Sequence, residues 1–268
     1  SFLCISFMCS CVTDDFNDLA KGFSPLSPKQ AALMASDQYS PDERRVGITL
    51  LSTSTFGGAP PYVTMYRDYV VADGDALVRA AAIKALARYA TVEDADLIVP
   101  WLRREGSDSV QVRREAALAL QRIHNPTVVS SLLIALGDAN EETAVRAYCA
   151  TALGQYPEDR VIVGLIASLD ANELSINLAA AQSLHTLTGK SFELDQYAWF
   201  AWYKEERAQS KNLFEGMTYF EYPTYQHEQR WWDRFVFWEQ RNEEKPSVPV
   251  GLVDPTRRST YDDAADNQ

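Results

Sequence analysis

The apolar positions of the chain fall into short stretches with helical spacing. Val78, Ala82, Ala85 and Leu86 follow one another at steps of four, three and one residues. Val112, Ala116, Ala119 and Leu120 repeat those steps, as do Val145, Cys149, Ala152 and Leu153. Such offsets share one face of an α-helix, so each stretch predicts a helix that buries a single stripe. Small residues at two of the offsets allow a neighbouring helix to come close. A second apolar segment follows each stripe: Asp94–Leu102, Thr127–Leu136 and Arg160–Leu169. Pro126 and Pro157 stand where those segments begin, a place that helices tolerate proline. Gly137, Asp170 and Asn172 stand where they end.

An arginine follows each leading valine. Arg79, Arg113 and Arg146 recur with a period of about 33 residues, the length of one supersecondary unit. A further copy carries Ile176, Asn177, Ala180, Ser183 and Leu184 in the same columns, and a degenerate first copy carries Arg44, Gly47, Leu50 and Leu51. One helix pair of this kind cannot bury both of its sides, so the copies must stack. The expectation is an all-α fold, a right-handed α-solenoid of about five helix pairs over residues 40–190. The column chemistry resembles the short HEAT-like repeats of phycobilin-attaching lyases, over the stretch from Ser40 to Gly189. Tetratricopeptide repeats have a similar period, but the large aromatic and Leu-Gly positions of their first helix are missing; Leu153-Gly154 is the one hint of them.

The arginine column of Arg44, Arg79, Arg113 and Arg146 is a candidate site. Asp73, Asp108 and the pair Asn140 and Glu141 stand five or six residues before its later members. In HEAT repeats such columns tie one copy to the next, so the resemblance implies a structural ladder. The sharper alternative is a ladder that binds anions or carboxylate tails, but charges already paired offer a ligand little. Cys149 shares a column with Ala82 and Ala116 and is expected to be an inert small core residue. His124, His185 and His227 have no i, i+4 spacing, and no P-loop, GxSxG or GxGxxG pattern occurs. No metal, no cofactor and no catalytic role are therefore expected. Phe56–Pro61 reads as a surface turn inside the first copy.

Beyond Gly189 the composition changes. Five of the six tryptophans lie between Gln196 and Glu239. Leu187-Thr188-Gly189, followed by Trp199 and Trp202, resembles the ending of HEAT proteins from envelope-rich bacteria such as planctomycetes. A terminal repeat exposes an apolar face that must be closed, and Trp199 with Trp202 can share one helical face to close it. That role covers less well Tyr219, Tyr222, Tyr225, Trp231, Trp232 and Trp238, which become the candidate partner-binding aromatics. The polar stretch with Pro246, Pro249 and Pro255 reads as a disordered or extended tail.

Charge narrows the partners. The net charge is −12 with a pI near 4.7, which argues against nucleic acid and against anionic lipid heads. The uncharged opening SFLCISFMCSC gives way abruptly to Thr13, Asp14 and Asp15. It reads as the end of a signal peptide, and Met8-Cys9-Ser10-Cys11 resembles a bacterial lipobox with Cys11 as the lipidated residue. Met8 stands where leucine is usual. The competing reading is a frayed N-terminal helix of a cytoplasmic protein.

The expected organisation is thus 1–11 as signal-peptide end, 12–39 as linker and capping helix, 40–190 as repeats, 191–243 as aromatic cap and 244–268 as disordered tail. The expected function is a non-catalytic scaffold that binds another protein, lipid-anchored in a bacterial envelope and extracytoplasmic. Two alternatives stand beside it: a lyase-like HEAT enzyme that attaches a tetrapyrrole, and a glycan-binding module that uses the aromatic segment.

Overall fold

The computed structural model describes residues 27–209 continuously, and beyond them 213–214, 219–220, 223–227, 244–246, 248–252 and 258–259. Among the described residues there are eleven α-helices. Helix α1 spans Pro28–Ala35, α2 Pro41–Ser52, α3 Pro60–Ala72, α4 Ala76–Tyr89 and α5 Asp94–Ile98, which continues as a 3-10 turn over Val99–Leu102. Then come α6 Val110–Leu120, a 3-10 turn Pro126–Val128 running into α7 Val129–Gly137, α8 Thr143–Leu153 and α9 Asp159–Ser168. Helices α10 Leu174–Thr188 and α11 Gln196–Ala208 complete the series.

The helices stack in two layers. Helices α2, α4, α6, α8 and α10 lie side by side and carry the Val-Arg columns. Helices α3, α5, α7 and α9 form the second layer, each packed against members of the first, and α11 follows on against α9. This is the α-solenoid expected from the repeat.

Local sequence explains where the helices begin and end. Ser27 caps α1 in a capping box with Gln30, and Ser40 caps α2 ahead of Pro41. The carboxylate of Asp75 accepts from the Leu77 and Val78 amides at the start of α4, and Glu142 does the same for Ala144 and Val145 at α8. Gly189 ends α10 in the left-handed conformation, φ 68°, which a side chain would oppose. Phe56–Pro61 is a turn only as far as Ala59, because Pro60 and Pro61 open α3, the second helix of the first pair.

The stripe residues form the core. Val78, Ala82, Ala85 and Leu86 are fully enclosed, and so are Val112, Ala116 and Leu120, and Val145, Cys149, Ala152 and Leu153. At the N-terminal end Gly47 is a close-approach point: a Cβ there would stand 2.1 Å from the Ala35 nitrogen and 2.7 Å from the Ala31 carbonyl oxygen. At the C-terminal end Trp199 is buried, with its ring edge-to-face on Phe192 at 4.9 Å and on Trp202 at 5.8 Å. Its indole N–H donates to the Glu193 carbonyl at 3.1 Å, so this large side chain is buried without an orphaned donor.

Within 244–268, expected as a disordered or extended tail, the described residues are 244–246, 248–252 and 258–259. Strand β1 (Tyr219–Phe220) pairs in parallel with β4 (Arg258–Ser259), and β2 (Pro223–His227) pairs antiparallel with β3 (Glu244–Pro246). Residues 248–252 bridge to Ile123 in the turn after α6.

Candidate functional site

The arginine column has two jobs. Each member donates to carbonyls at or beyond the end of the preceding helix: Arg44 to Asp37, Arg79 to Val70 and Asp73, Arg113 to Ser107 and Arg146 to Leu136. Asn177 does the same for Leu169 and Ala171 in the copy without an arginine. These carbonyls lack helical partners and need a donor. Three of the arginines also reach forward to an acid of the next copy. Arg44 meets Asp73 at 2.9 Å, Arg113 meets Glu141 at 2.8 Å, and Arg146 meets Glu173 at 3.5 Å.

Arg79 breaks the pattern. Asp108 was the acid expected in this column, but the Arg79 guanidinium lies over the Trp101 ring instead, 4.1 Å from its centre. The missing acid link is thus replaced by a cation–π contact within the same region. A further acidic link, between Arg67 and Asp94 at 2.7 Å, joins the second-layer helices α3 and α5. Burial pushes the Asp94 carboxyl up. The Arg67 guanidinium and the Thr91 amide more than offset this, leaving it below its ordinary value.

The other sequence-derived candidates are distributed as follows. Cys11, Tyr222, Trp231, Trp232 and Trp238 lie outside the described residues. Tyr219 falls in β1 and Tyr225 in β2, which lies beside α4 and not at the C-terminal end of the stack. Trp199 and Trp202 serve the cap, while Tyr197 and Phe200 are exposed on the other side of α11. Cys149 is fully buried, and that burial pushes its thiol well up, away from the thiolate form a nucleophile needs. Among the described residues no cluster of three His, Cys, Asp or Glu could hold a metal ion. No described helix is long and apolar enough to cross a membrane.

A groove of about 370 Å³ crosses α4, α6 and α8 on the open side of the first layer. Lys84, Arg114 and Arg122 line it, with Leu118, Tyr148 and the edge of the buried Glu115. Gln111 donates to the Glu115 carboxylate at 2.9 Å, and the Arg114 guanidinium stands 3.8 Å from it. Burial raises the Glu115 carboxyl, and the charges of Lys84, Arg114 and Arg122 pull in the opposite direction without cancelling it. Lys84, Arg114 and Arg122 thus gather on one face of a chain of net charge −12. The arrangement has the chemistry to receive a carboxylate or another anionic group.

A second groove, of about 440 Å³, lies where α7 and α9 meet the loop before α10. Of its charged members Arg146, Asp170 and Glu173, the cation already faces Glu173, so it offers a ligand less. No single column of the repeat marks the first groove in the sequence. A signal was present: Glu115, Leu118 and Arg122 follow Val112 by three, six and ten residues, and Lys84 follows Val78 by six. Those offsets trace a second helical face, beside the stripe.

Stacked helix pairs with a conserved-period stripe, carbonyl-capping arginines and inter-copy ion pairs define the class as an α-solenoid. Within that class the stretch 95–185 matches the family profile of HEAT repeats. Similar solved structures include the complex of CpcE and CpcF of phycocyanin lyase from a Nostoc species, at 19% identity over 58% of this chain and 96% of that one, with a TM-score of 0.43. Another is the YibA protein of Escherichia coli, at 18% identity over 66% of this chain and 81% of that one, with a TM-score of 0.34. A search of curated proteins finds no match.

Proposed function

We propose that the chain is a non-catalytic scaffold that binds another protein through the groove of α4, α6 and α8. The observation that carries this reading is the cationic set Lys84, Arg114 and Arg122 on an otherwise acidic chain, in a groove that crosses three stacked helices. A site spread over neighbouring repeats suits an extended partner surface better than a small substrate, which needs a deeper enclosed pocket. An acidic side chain or terminal carboxylate of the partner enters between the cations, and the apolar edges of Leu118 and Tyr148 flank it.

The direct test compares affinity capture by the wild-type chain with capture by the double variant Lys84→Glu, Arg114→Glu. Partners held through the groove are retained by the first and lost by the second, and they elute as salt is raised because exposed charges are screened. Identical recovery on both chains defeats the proposal, and so does selective retention on a polysaccharide or transfer of a tetrapyrrole by the purified chain.

We further propose that the scaffold is lipid-anchored in a bacterial envelope through Cys11, on the strength of the stretch Met8-Cys9-Ser10-Cys11 after an uncharged run. Two or three acyl chains anchor a protein firmly where a single one does so reversibly. Mass spectrometry of membrane fractions is expected to find an acylated N-terminal Cys11. An unmodified thiol on a soluble protein excludes the anchor.

A further inference from the structure

Residues 248–252 are seated on the repeats through backbone groups. The Val250 amide donates to the Arg122 carbonyl at 2.8 Å, and the His124 amide donates to the Val250 carbonyl at 2.8 Å. Together these make a parallel bridge between Val250 and Ile123. Pro249 is buried, whereas the Val250 side chain is 44% exposed. Gly251 has φ +87°, and a Cβ there would stand 2.4 Å from Val92 Cγ2 and 2.9 Å from the His124 carbonyl oxygen. The segment is therefore recognised by its backbone, by the proline and by the absence of a side chain at Gly251.

The turn that receives it is held rigid by other contacts. The Tyr156 hydroxyl is buried against the Asn125 amide at 3.1 Å and the Asn125 carbonyl at 3.2 Å, and the Tyr156 ring stacks on His124 at 4.8 Å. The Asn125 side chain donates to the Val92 carbonyl at 3.2 Å and accepts from the Thr127 amide at 3.1 Å. Ile123 is anchored in the core. This fixes an outward donor and acceptor, the His124 N–H and the Arg122 C=O, as a short strand edge. Such an edge is a template for a peptide backbone.

We infer that the turn Arg122–Asn125, with Val92 at its side, is a docking slot for Pro-x-Gly β-turn segments, occupied in the resting chain by its own residues 249–252, whose Leu252 amide closes the turn on the Pro249 carbonyl at 3.1 Å. The occupant in cis benefits from its tether, which gives a local concentration of about millimolar. A partner's segment of the same pattern must displace it. The slot adjoins the basic groove, because Arg122 gives its side chain to the groove and its carbonyl to the slot. The inference does not depend on the groove's own ligand.

The test uses the full chain and a fluorescent peptide of residues 245–254. Gly251→Val forces a side chain into Val92, and Val250→Pro removes the amide that Arg122 receives. Both lie outside the helices, so circular dichroism should match the wild type. Hydrogen exchange at the His124 amide is expected to speed up roughly tenfold in both variants. The peptide is expected to bind both at least about tenfold more tightly than it binds the wild type, because the tethered competitor is gone. It should cross-link to residues 122–124 or Val92, and a peptide carrying Gly251→Val should not bind. Unchanged exchange at His124 overturns the inference. So does a peptide that binds neither variant, or that binds all three chains alike.

Discussion

Arg113 and Glu141 are each 3% exposed at the side chain, so each charge depends on the other in place of water. Removing one partner of such a buried pair costs about 3–5 kcal/mol, because the survivor is left uncompensated. Arg113→Met is expected to lose that much in denaturant unfolding, and Arg113→Met with Glu141→Leu should recover most of it. Glu173, by contrast, is 40% exposed at 3.5 Å from Arg146, and Glu173→Ala should cost less than about 1 kcal/mol. Glu115 tests the groove by pH. Its carboxyl is raised above 4.5, so the stability it contributes is fully present below that value and is lost as pH rises through the raised one. Glu115→Gln should therefore raise the melting temperature at pH 7 and give a gain that vanishes towards pH 4. The arginine column was readable because one residue type recurs at one offset. The groove was not, since Lys84, Arg114 and Arg122 come from two copies at three different offsets and meet only when the helices stack.

Among the elements, α1 depends on one glycine. The Cβ of Gly47→Ala would meet the backbone of Ala31 and Ala35, which no side-chain rotation can relieve. The variant is expected to release α1, seen as fast hydrogen exchange over residues 28–36 with exchange in α4 to α10 unchanged. Tyr156→Phe removes the hydroxyl that holds the turn at Asn125 and should cost about 1–3 kcal/mol by leaving buried amide groups unsatisfied, as measured by chemical denaturation. Helices with a 3.6-residue stripe were legible because burial of one face dictates the pattern. The bridge at Ile123 was not, because its bonds run between backbone groups, whose identity the sequence does not vary. Only Gly251, needed for a positive φ, left a trace of it.

For the whole molecule, stability is close to a sum of helix pairs and the interfaces between neighbours. The inter-copy pairs Arg44–Asp73, Arg113–Glu141 and Arg146–Glu173 mark those interfaces, while Arg79 lies over Trp101 of its own copy. The regular layer supplies support, and its open side carries the cationic set. Among the described residues the proposed recognition groove lies within the repeats, while Tyr222, Trp231, Trp232 and Trp238 of the aromatic segment lie outside those residues. The most direct measurement places a photo-cross-linking residue at Leu118, inside the groove, and at Val163, exposed on α9 in the other layer. Irradiated in its native setting, the chain should form a discrete protein adduct from position 118 that is lost when Lys84 and Arg114 are both changed to Glu, and none from position 163. Equal adducts from both positions, or an adduct at 118 indifferent to the charge reversal, would contradict a scaffold that binds through this groove.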